Sequence, residues 1–280
     1  LVTLEQSIYI VCGKYAEGSY TNEIHVFDTT SETFSKLPCA GKHIPPQTIR
    51  FQANLRFNHV KNSHQIIMSW GYSSNYSNKI YIYDLKDLQW DLIEPDPSSP
   101  LPPPSMSQAT VYDPATDSLI SQGGYQSQAM WTFCFKSKIW TRFANYNDTP
   151  IGNNYGHRCL LVTHNITREN HMLIVCINQD DGLYSYNLRT RQWTSFVDPL
   201  QQLKVEDPAR KMLVQVPSSS NEQMSELLVM VKGALPNNRK EFAFVQDNDM
   251  FYVFGSAPMS GYSYPTCLAT KFKLPQFANQ

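Results

Sequence analysis

The sequence has few charges and none of the long charged or apolar runs found in nucleic-acid-binding or membrane proteins. Only 17% of the residues are charged, and 23 Lys and Arg against 24 Asp and Glu give a net charge of −1. Since no run of five or more like charges occurs, the basic footprint of a DNA- or RNA-binding protein is missing. The apolar runs are short, such as Met250–Phe254, whereas a spanning helix needs roughly 20 residues. We therefore expect no nucleic-acid partner and no membrane span in this chain.

Cysteine and histidine are not arranged as in metal sites or known active sites. The six cysteines contain no CxxC pair, which argues against zinc and leaves the redox compartment open. Only His164 and His171, which flank a loop, come near metal-ligand spacing, and GxSxG, P-loop and dinucleotide motifs are absent. The sequence therefore predicts no catalytic residues, no metal and no cofactor.

A repeat dominates the sequence. Segments 24–34, 80–90, 130–140 and 183–193 align without a gap, and each places one aromatic residue seven positions before another. The second aromatic residues, Phe34, Trp90, Trp140 and Trp193, are 56, 50 and 53 residues apart. A period of about 50 residues with four strands per unit is typical of a β-propeller.

Each repeated segment has the composition of a β-hairpin. The segments are rich in β-branched and aromatic residues and lack helical spacing of apolar positions. Asp28, Asp84 and Asn187 follow the first aromatic residue, where a short side-chain oxygen can accept hydrogen bonds from the turn backbone. We expect the second aromatic residue to pack between neighbouring sheets.

Apolar runs upstream of these hairpins mostly end in glycine, as at Gly13, Gly71 and Gly123-Gly124. Glycine at the end of a buried strand permits positive φ and close backbone approach near the centre of a ring. This pattern resembles the kelch repeat, in which a strand ends in two glycines and a Tyr and a Trp follow. Gly124 with Trp140 belongs to the best-matching unit, whereas Asn178 replaces the glycines.

The resemblance implies an all-β fold, a kelch-type β-propeller in which residues 1–280 form one domain, either complete or within a longer chain. The interval from Trp193 to Phe277 is 84 residues, too long for one period and too short for two. Runs 211–216 and 226–231 predict a strand pair that we interpret as a degenerate fifth blade of six four-stranded blades. Five blades with an insertion are the alternative.

For the function, the sequence favours a non-catalytic module that binds a protein partner through one loop-rich face. Copper oxidases of the galactose oxidase type resemble kelch propellers but need an adjacent Tyr-His pair, and Tyr155-Gly-His157 is the nearest arrangement. A secreted propeller that binds or oxidises carbohydrate is the alternative, and a cytosolic adaptor is a third hypothesis.

Loops at one end of the predicted blades carry many tyrosines and polar residues, which suit recognition of proteins or sugars. The predicted binding face comprises Tyr15, Tyr20, Tyr72, Tyr125, Tyr155, Asn178, Gln179, Asp180, Asp181 and Tyr262. The same loops also contain Tyr76.

Three sequons predict glycosylation at Asn75, Asn147 and Asn165. The sequons slightly favour a glycoprotein that is secreted or at the cell surface, and a cytoplasmic location is the alternative.

Overall fold

The structure is a computed structural model. It describes residues 1–15, 17–143, 150–151, 156–176 and 182–196, and further strands of the C-terminal part given below. The chain divides into two compact units, Leu1–Tyr146 and Asn147–Gln280. A single domain spanning residues 1–280 stays a prediction.

The first unit consists of three four-stranded antiparallel sheets, here called blades 1 to 3. Blade 1 is formed by β1 (Val2–Leu4), β2 (Ser7–Lys14), β3 (Tyr20–Asp28) and β4 (Thr33–Lys36). Blade 2 is formed by β5 (Ala53–Asn58), β6 (Ser63–Ser69), β7 (Ile80–Asp84) and β8 (Gln89–Ile93). Blade 3 is formed by β9 (Ala109–Asp113), β10 (Ser118–Gln122), β11 (Met130–Cys134) and β12 (Ile139–Phe143).

Blade 2 is buried on both faces because it lies between its two neighbours. Successive side chains of a strand point to opposite faces of a sheet. Ile66 and Met68 pack in the cluster shared with blade 1, whereas Ile67 packs in the cluster shared with blade 3. The first strands of consecutive blades also contact each other, and Asn54 Nδ2 donates to Thr110 Oγ1 at 2.8 Å. The three sheets therefore stack face to face with their first strands innermost.

The predicted aromatic hairpins are confirmed in the first three repeats. The two aromatic residues of each segment are direct cross-strand partners: Phe27 and Phe34, Tyr83 and Trp90, and Phe133 and Trp140. Trp90 and Trp140 are each 1% exposed and lie between blades, as expected. The same expectation is wrong for Phe34, which is 66% exposed.

The predicted side-chain contacts in the hairpin turns are also present. Asp28 Oδ1 accepts hydrogen bonds from the amides of Thr30 and Ser31 at 2.9 and 2.8 Å. Asp84 Oδ1 accepts from the amides of Lys86 and Asp87 at 3.0 and 3.1 Å. These bonds satisfy turn amides that have no strand partner. Residues within each four-residue turn therefore determine its conformation.

The second unit contains one four-stranded sheet, blade 4, and further strands. Blade 4 is formed by β13 (Arg158–Thr163), β14 (Asn170–Cys176), β15 (Gly182–Asn187) and β16 (Trp193–Phe196). Its cross-strand aromatic pair, Tyr186 and Trp193, completes the series, with ring centroids 4.9 Å apart. Asn187 Oδ1 accepts from the amides of Arg189 and Thr190, both at 2.9 Å, as predicted.

The remaining strands form smaller sheets. They are β17 (Lys211–Val216), β18 (Ser225–Met230), β19 (Arg239–Lys240), β20 (Ala243–Asp247), β21 (Met250–Phe254), β22 (Ala257–Pro258) and β23 (Ala269–Lys273). The pairs are β17 with β18 and β19 with β22, whereas β20, β21 and β23 form a three-stranded sheet. The predicted strand pair near 211–230 is therefore confirmed.

The prediction of six four-stranded blades is wrong for the described residues, which form four. β17 and β18 form a two-stranded sheet, and β13 of blade 4 contacts β20 of the three-stranded sheet. Weak sequence periodicity could not reveal how the last strands group. Phe277, the predicted last aromatic position, lies outside the described residues.

No helix that is long and apolar enough to cross a membrane occurs in the described part of the chain.

Candidate functional site

The two ends of blades 1 to 3 differ in the length of their connections. Short turns link the first strand to the second and the third to the fourth within each blade. At the opposite end, here called the long-loop end, lie the connections 37–52, 70–79, 94–108 and 123–129. Long connections on a rigid scaffold are the usual positions of binding residues. The long-loop end of this unit is therefore the candidate site.

Two glycines that lie just after β6 and β10 allow neighbouring long loops to come close together. Gly71 has φ 100°, and a Cβ there would lie 2.6 Å from Thr48 Cγ2 and 2.9 Å from the Ile49 carbonyl oxygen. Gly124 has φ 107°, and its Cβ would lie within 3 Å of three side-chain atoms of Gln108. The predicted positive φ at these strand ends is confirmed, and the glycines also permit close contact with the connection that enters the same blade.

Three tyrosines form an aromatic row at this end, here called the tyrosine ladder. The Tyr76 ring lies 5.6 Å from the Tyr72 ring and 5.6 Å from the Tyr125 ring, centroid to centroid. These separations are in the range of favourable aromatic contacts. Tyr76 is 40% exposed, and Tyr72 and Tyr125 are half-buried. The ladder thus joins a loop of blade 2 to a loop of blade 3.

Backbone hydrogen bonds hold the ladder in place. The amides of Ile49 and Tyr72 each donate to the other residue's carbonyl at 2.9 Å. The Tyr125 amide donates to the Met106 carbonyl at 2.9 Å, and Ser105 Oγ donates to the Tyr125 carbonyl at 2.8 Å. The structure therefore fixes the backbone of Tyr72 and Tyr125 before any partner binds.

The charges near the ladder are positive. Segments 48–52, 70–79, 105–107 and 123–128 contain Arg50 and Lys79, both exposed, and no Asp or Glu. Arg50 has φ 59°, and its carbonyl accepts a hydrogen bond from the Ser107 amide at 2.7 Å. These four segments therefore favour polar acceptors or negative charge on a bound molecule.

Tyr15 has a different local role from the ladder. Its hydroxyl donates to Glu23 Oε2 at 2.7 Å, and His25 Nε2 lies 3.0 Å from the same oxygen. Lys36 Nζ contacts the other carboxylate oxygen. Hydrogen bonds from Lys36, Tyr15 and His25 lower the pKa of Glu23 to about 2. Tyr15 is thus engaged by a carboxylate of its own blade, although its ring remains 41% exposed.

The other predicted residues fall in several places. Tyr20 is half-buried as the first residue of β3, paired with Lys14, and does not lie in a loop. Six predicted binding residues and one predicted sequon lie outside the described residues: Tyr155, Asn178, Gln179, Asp180, Asp181, Tyr262 and the sequon residue Asn147.

Of the described sequons, Asn75 is exposed beside Tyr76, and Asn165 is half-buried. Glycosylation at either asparagine stays a prediction.

The structure therefore brings together two of the predicted tyrosines, Tyr72 and Tyr125, and adds Tyr76 between them. The sequence placed Tyr76 in the correct loop, but it gave no signal that this ring would link the other two. Within the described ranges, no three His, Cys, Asp or Glu side chains are grouped closely enough to hold a metal ion.

The comparisons with known proteins agree with the repeated four-stranded blades. No curated protein matches this chain. The family model described as the KLHDC2/KLHL20/DRC7 Kelch-repeats domain matches residues 1–216, which is most of the sequence. With its repeated aromatic hairpins and glycine-ended strands, the chain belongs to the kelch-repeat family.

Proposed function

We propose that this chain is a non-catalytic protein-interaction module that holds its partner at the long-loop end, with the tyrosine ladder as the central contact. Kelch-repeat domains generally mediate protein–protein interaction and are typically non-enzymatic. The observation that carries the proposal is the row of Tyr72, Tyr76 and Tyr125 across two blades.

Tyrosine suits this role because it combines a large apolar ring with a hydroxyl that can form hydrogen bonds. Aromatic residues are enriched among the positions that contribute most to binding at protein interfaces. A tyrosine whose ring is already restricted by neighbouring rings also loses little side-chain freedom on binding. The two ring contacts of Tyr76 provide such a restriction.

The fixed loops support the same proposal. Asn78 Nδ2 donates to the Pro102 carbonyl at 2.8 Å, and the Ser105 amide donates to the Ser77 carbonyl at 3.1 Å. Loops that are ordered before binding reduce the entropy cost of forming a complex. With Arg50 and Lys79 nearby, we expect the partner to present apolar groups flanked by carbonyl or carboxylate oxygens.

The test is site-specific photo-crosslinking in the native host. A photoreactive phenylalanine analogue replaces Tyr76 in one version of the protein and Val60 in another. Val60 is 97% exposed in a short turn of blade 2, at the opposite end from the ladder. We expect one defined protein adduct from position 76 and no such adduct from position 60.

The adduct protein is then purified and titrated against wild type and the variants Tyr76→Ser and Val60→Ser. Tyr76→Ser should weaken binding by about tenfold or more, as at other aromatic interface positions, and Val60→Ser should leave it unchanged. Equal affinity of wild type and Tyr76→Ser, with unchanged thermal unfolding, would overturn the proposal. The carbohydrate alternative predicts instead that a glycan array gives hits that depend on Tyr76.

A further inference from the structure

The connection from blade 2 to blade 3 is rich in proline. Residues 95–104 contain six prolines among ten residues, and no charged residue occurs from position 97 to position 112. The connection begins after β8 and ends at β9, so it belongs entirely to the first unit. Because proline has no amide hydrogen to donate, this segment is poorly suited to pair as a strand of a blade.

The second half of the connection is stiff. Every residue from Ser99 to Pro104 is either a proline or the residue before one. Proline fixes its own φ at about −65°, and it restricts the preceding residue to extended conformations. Both restrictions favour the polyproline II helix, which has three residues per turn. Residues 100–104 are here called the proline ridge.

Every third residue of this segment is held by the protein. The Trp140 amide donates to Ser99 Oγ at 2.7 Å. Three residues further on, Pro102 is buried, and its carbonyl accepts a hydrogen bond from Asn78 Nδ2 at 2.8 Å. After another three residues, Ser105 is 2% exposed. Burial therefore follows the threefold repeat of a polyproline II helix.

The other two edges of the proline ridge face the solvent. Pro100 and Pro103 share one edge because they are three residues apart, and both are exposed. Leu101 and Pro104 share the next edge, where Leu101 is 58% exposed and Pro104 is also exposed. The protein thus holds the ridge along one edge and presents four apolar side chains on the other two.

Backbone hydrogen bonds fix both ends of the ridge. The Ser99 amide donates to the Asp96 carbonyl at 2.8 Å, and the Asp96 amide donates to the Lys138 carbonyl at 2.9 Å. Beyond the other end, the Gly71 amide donates to the Ser105 carbonyl at 3.2 Å. An extended segment that is already ordered loses little conformational entropy when a partner binds it.

We propose that the proline ridge is a ligand for a partner protein domain that binds polyproline II helices in a groove lined by aromatic side chains. Such grooves recognise exposed prolines that are three residues apart, and Pro100 and Pro103 have this arrangement. The proposal goes beyond the proposed function, because the contact is made by the ridge and not by the rings of the tyrosine ladder.

The charges beside the ridge indicate what should border the partner's groove. Glu94 and Asp96 are both exposed and precede the ridge, which itself contains no Lys or Arg. Opposite charges across an interface favour association. We therefore expect basic side chains at the border of the aromatic groove.

The test uses the full chain and a panel of purified SH3, WW and EVH1 domains, which bind polyproline II segments. Surface plasmon resonance measures binding, and we expect saturable binding of at least one domain to wild type. The double variant Pro100→Ala/Pro103→Ala should bind that domain about tenfold more weakly or worse. The control Pro46→Ala changes an exposed proline of the neighbouring connection 37–52 and should bind as wild type does.

Two further variants define the contact. Leu101→Ser keeps every proline, and thus the backbone restrictions, but removes the apolar group from the second exposed edge. It should weaken binding by about fivefold or more. Tyr76→Ser should leave the affinity for the domain unchanged, so that failure of this proposal and failure of the proposed function can be distinguished.

A synthetic peptide of residues 97–106 tests whether the ridge is accessible in the folded protein. The peptide should compete with the full chain for the same domain. A domain that binds the peptide but not the folded chain would overturn the proposal, since the ridge would then be blocked where it lies. The proposal also fails if no domain of the panel binds, or if Pro100→Ala/Pro103→Ala binds as tightly as wild type.

Discussion

Arg56 and Asp117 form a two-point ion pair between blades 2 and 3. Arg56 Nε donates to Asp117 Oδ1 at 2.7 Å, and Nη2 donates to Oδ2 at 2.8 Å. Arg56 Nη1 also donates to Gln65 Oε1 at 2.9 Å, and its guanidinium carbon lies 4.2 Å from the centroid of the Phe135 ring. Planar, paired hydrogen bonding of this kind requires arginine and a carboxylate. The pair thus fixes how one blade lies on the next.

Removing one partner of this pair should destabilise the protein. The Arg56 side chain is 10% exposed, so Asp117→Asn leaves a largely buried guanidinium without its counter-charge. Because Asp117 itself is 34% exposed, solvent reduces the cost, and we expect a loss of about 1–3 kcal/mol in the free energy of unfolding. Denaturation in urea measures this loss.

The matched control is Asp87→Asn. Lys61 Nζ lies 3.2 Å from Asp87 Oδ2, and both side chains are 51% exposed. An exposed pair of this kind contributes about 1 kcal/mol or less. If the two variants lose the same stability, the Arg56–Asp117 pair has no special role in joining the blades.

The same pair predicts a dependence of stability on pH. Burial alone would raise the pKa of Asp117, but hydrogen bonds from Arg56 and Tyr112 outweigh burial and hold this pKa below its usual value. The stabilisation is therefore present above the pKa of Asp in the unfolded chain, about 3.9, and is lost as pH falls through the lower folded pKa. Thermal unfolding of wild type and Asp117→Asn should differ at neutral pH and converge on acidification. A difference that stays constant down to about pH 3 would contradict this assignment.

The aromatic positions of the repeat should differ in their contribution to stability. Trp140→Ala empties a site that is 1% exposed, and we expect a loss of about 3–5 kcal/mol. Phe34→Ala changes a ring that is 66% exposed, and its effect should stay within about 0.5 kcal/mol. Urea denaturation of both variants compares two residues that the sequence repeat treats as equivalent. A large loss for Phe34→Ala would show that its ring is covered in solution.

Local features of the blades could be predicted from the sequence because they depend on residues close in the chain. The spacing of Tyr83 and Trp90 predicts a hairpin, and these residues are direct cross-strand partners. Asp84 predicts a turn, and its side chain accepts the expected amides. In both examples a short segment contains all the groups that determine the geometry.

Contacts between blades could not be predicted in this way. Arg56 and Asp117 are 61 residues apart, and no periodic signal links one charge to the other. The exposure of Phe34 depends on what lies beside blade 1, whereas its own segment looks like the others. For the candidate site, the sequence placed Tyr72 and Tyr125 in the correct loops, but the loops had to be stacked before Tyr76 could be seen between them.

Substitution of two glycines that have nearly the same φ can distinguish two contributions to the loss of stability. One is the conformational cost of a positive φ, and the other is the cost of a steric clash. Gly13 has φ 135° and Gly41 has φ 134°. A Cβ at position 13 would meet nothing within 4 Å, whereas one at position 41 would lie within 3 Å of three backbone atoms of Trp90. Gly13→Ala should therefore cost only the conformational penalty, about 1–3 kcal/mol.

Gly41→Ala should cost more than Gly13→Ala because relief of the clash must also move segment 38–41 away from blade 2. That movement lengthens the hydrogen bond from the Trp90 amide to the Ala40 carbonyl, which is 2.7 Å long. Hydrogen exchange at the Trp90 amide should therefore accelerate in Gly41→Ala and stay unchanged in Gly13→Ala, with urea denaturation giving the order of stabilities. Equal losses of stability, or a Trp90 amide that remains protected, would mean that the close approach of Gly41 does not hold segment 38–41 against blade 2.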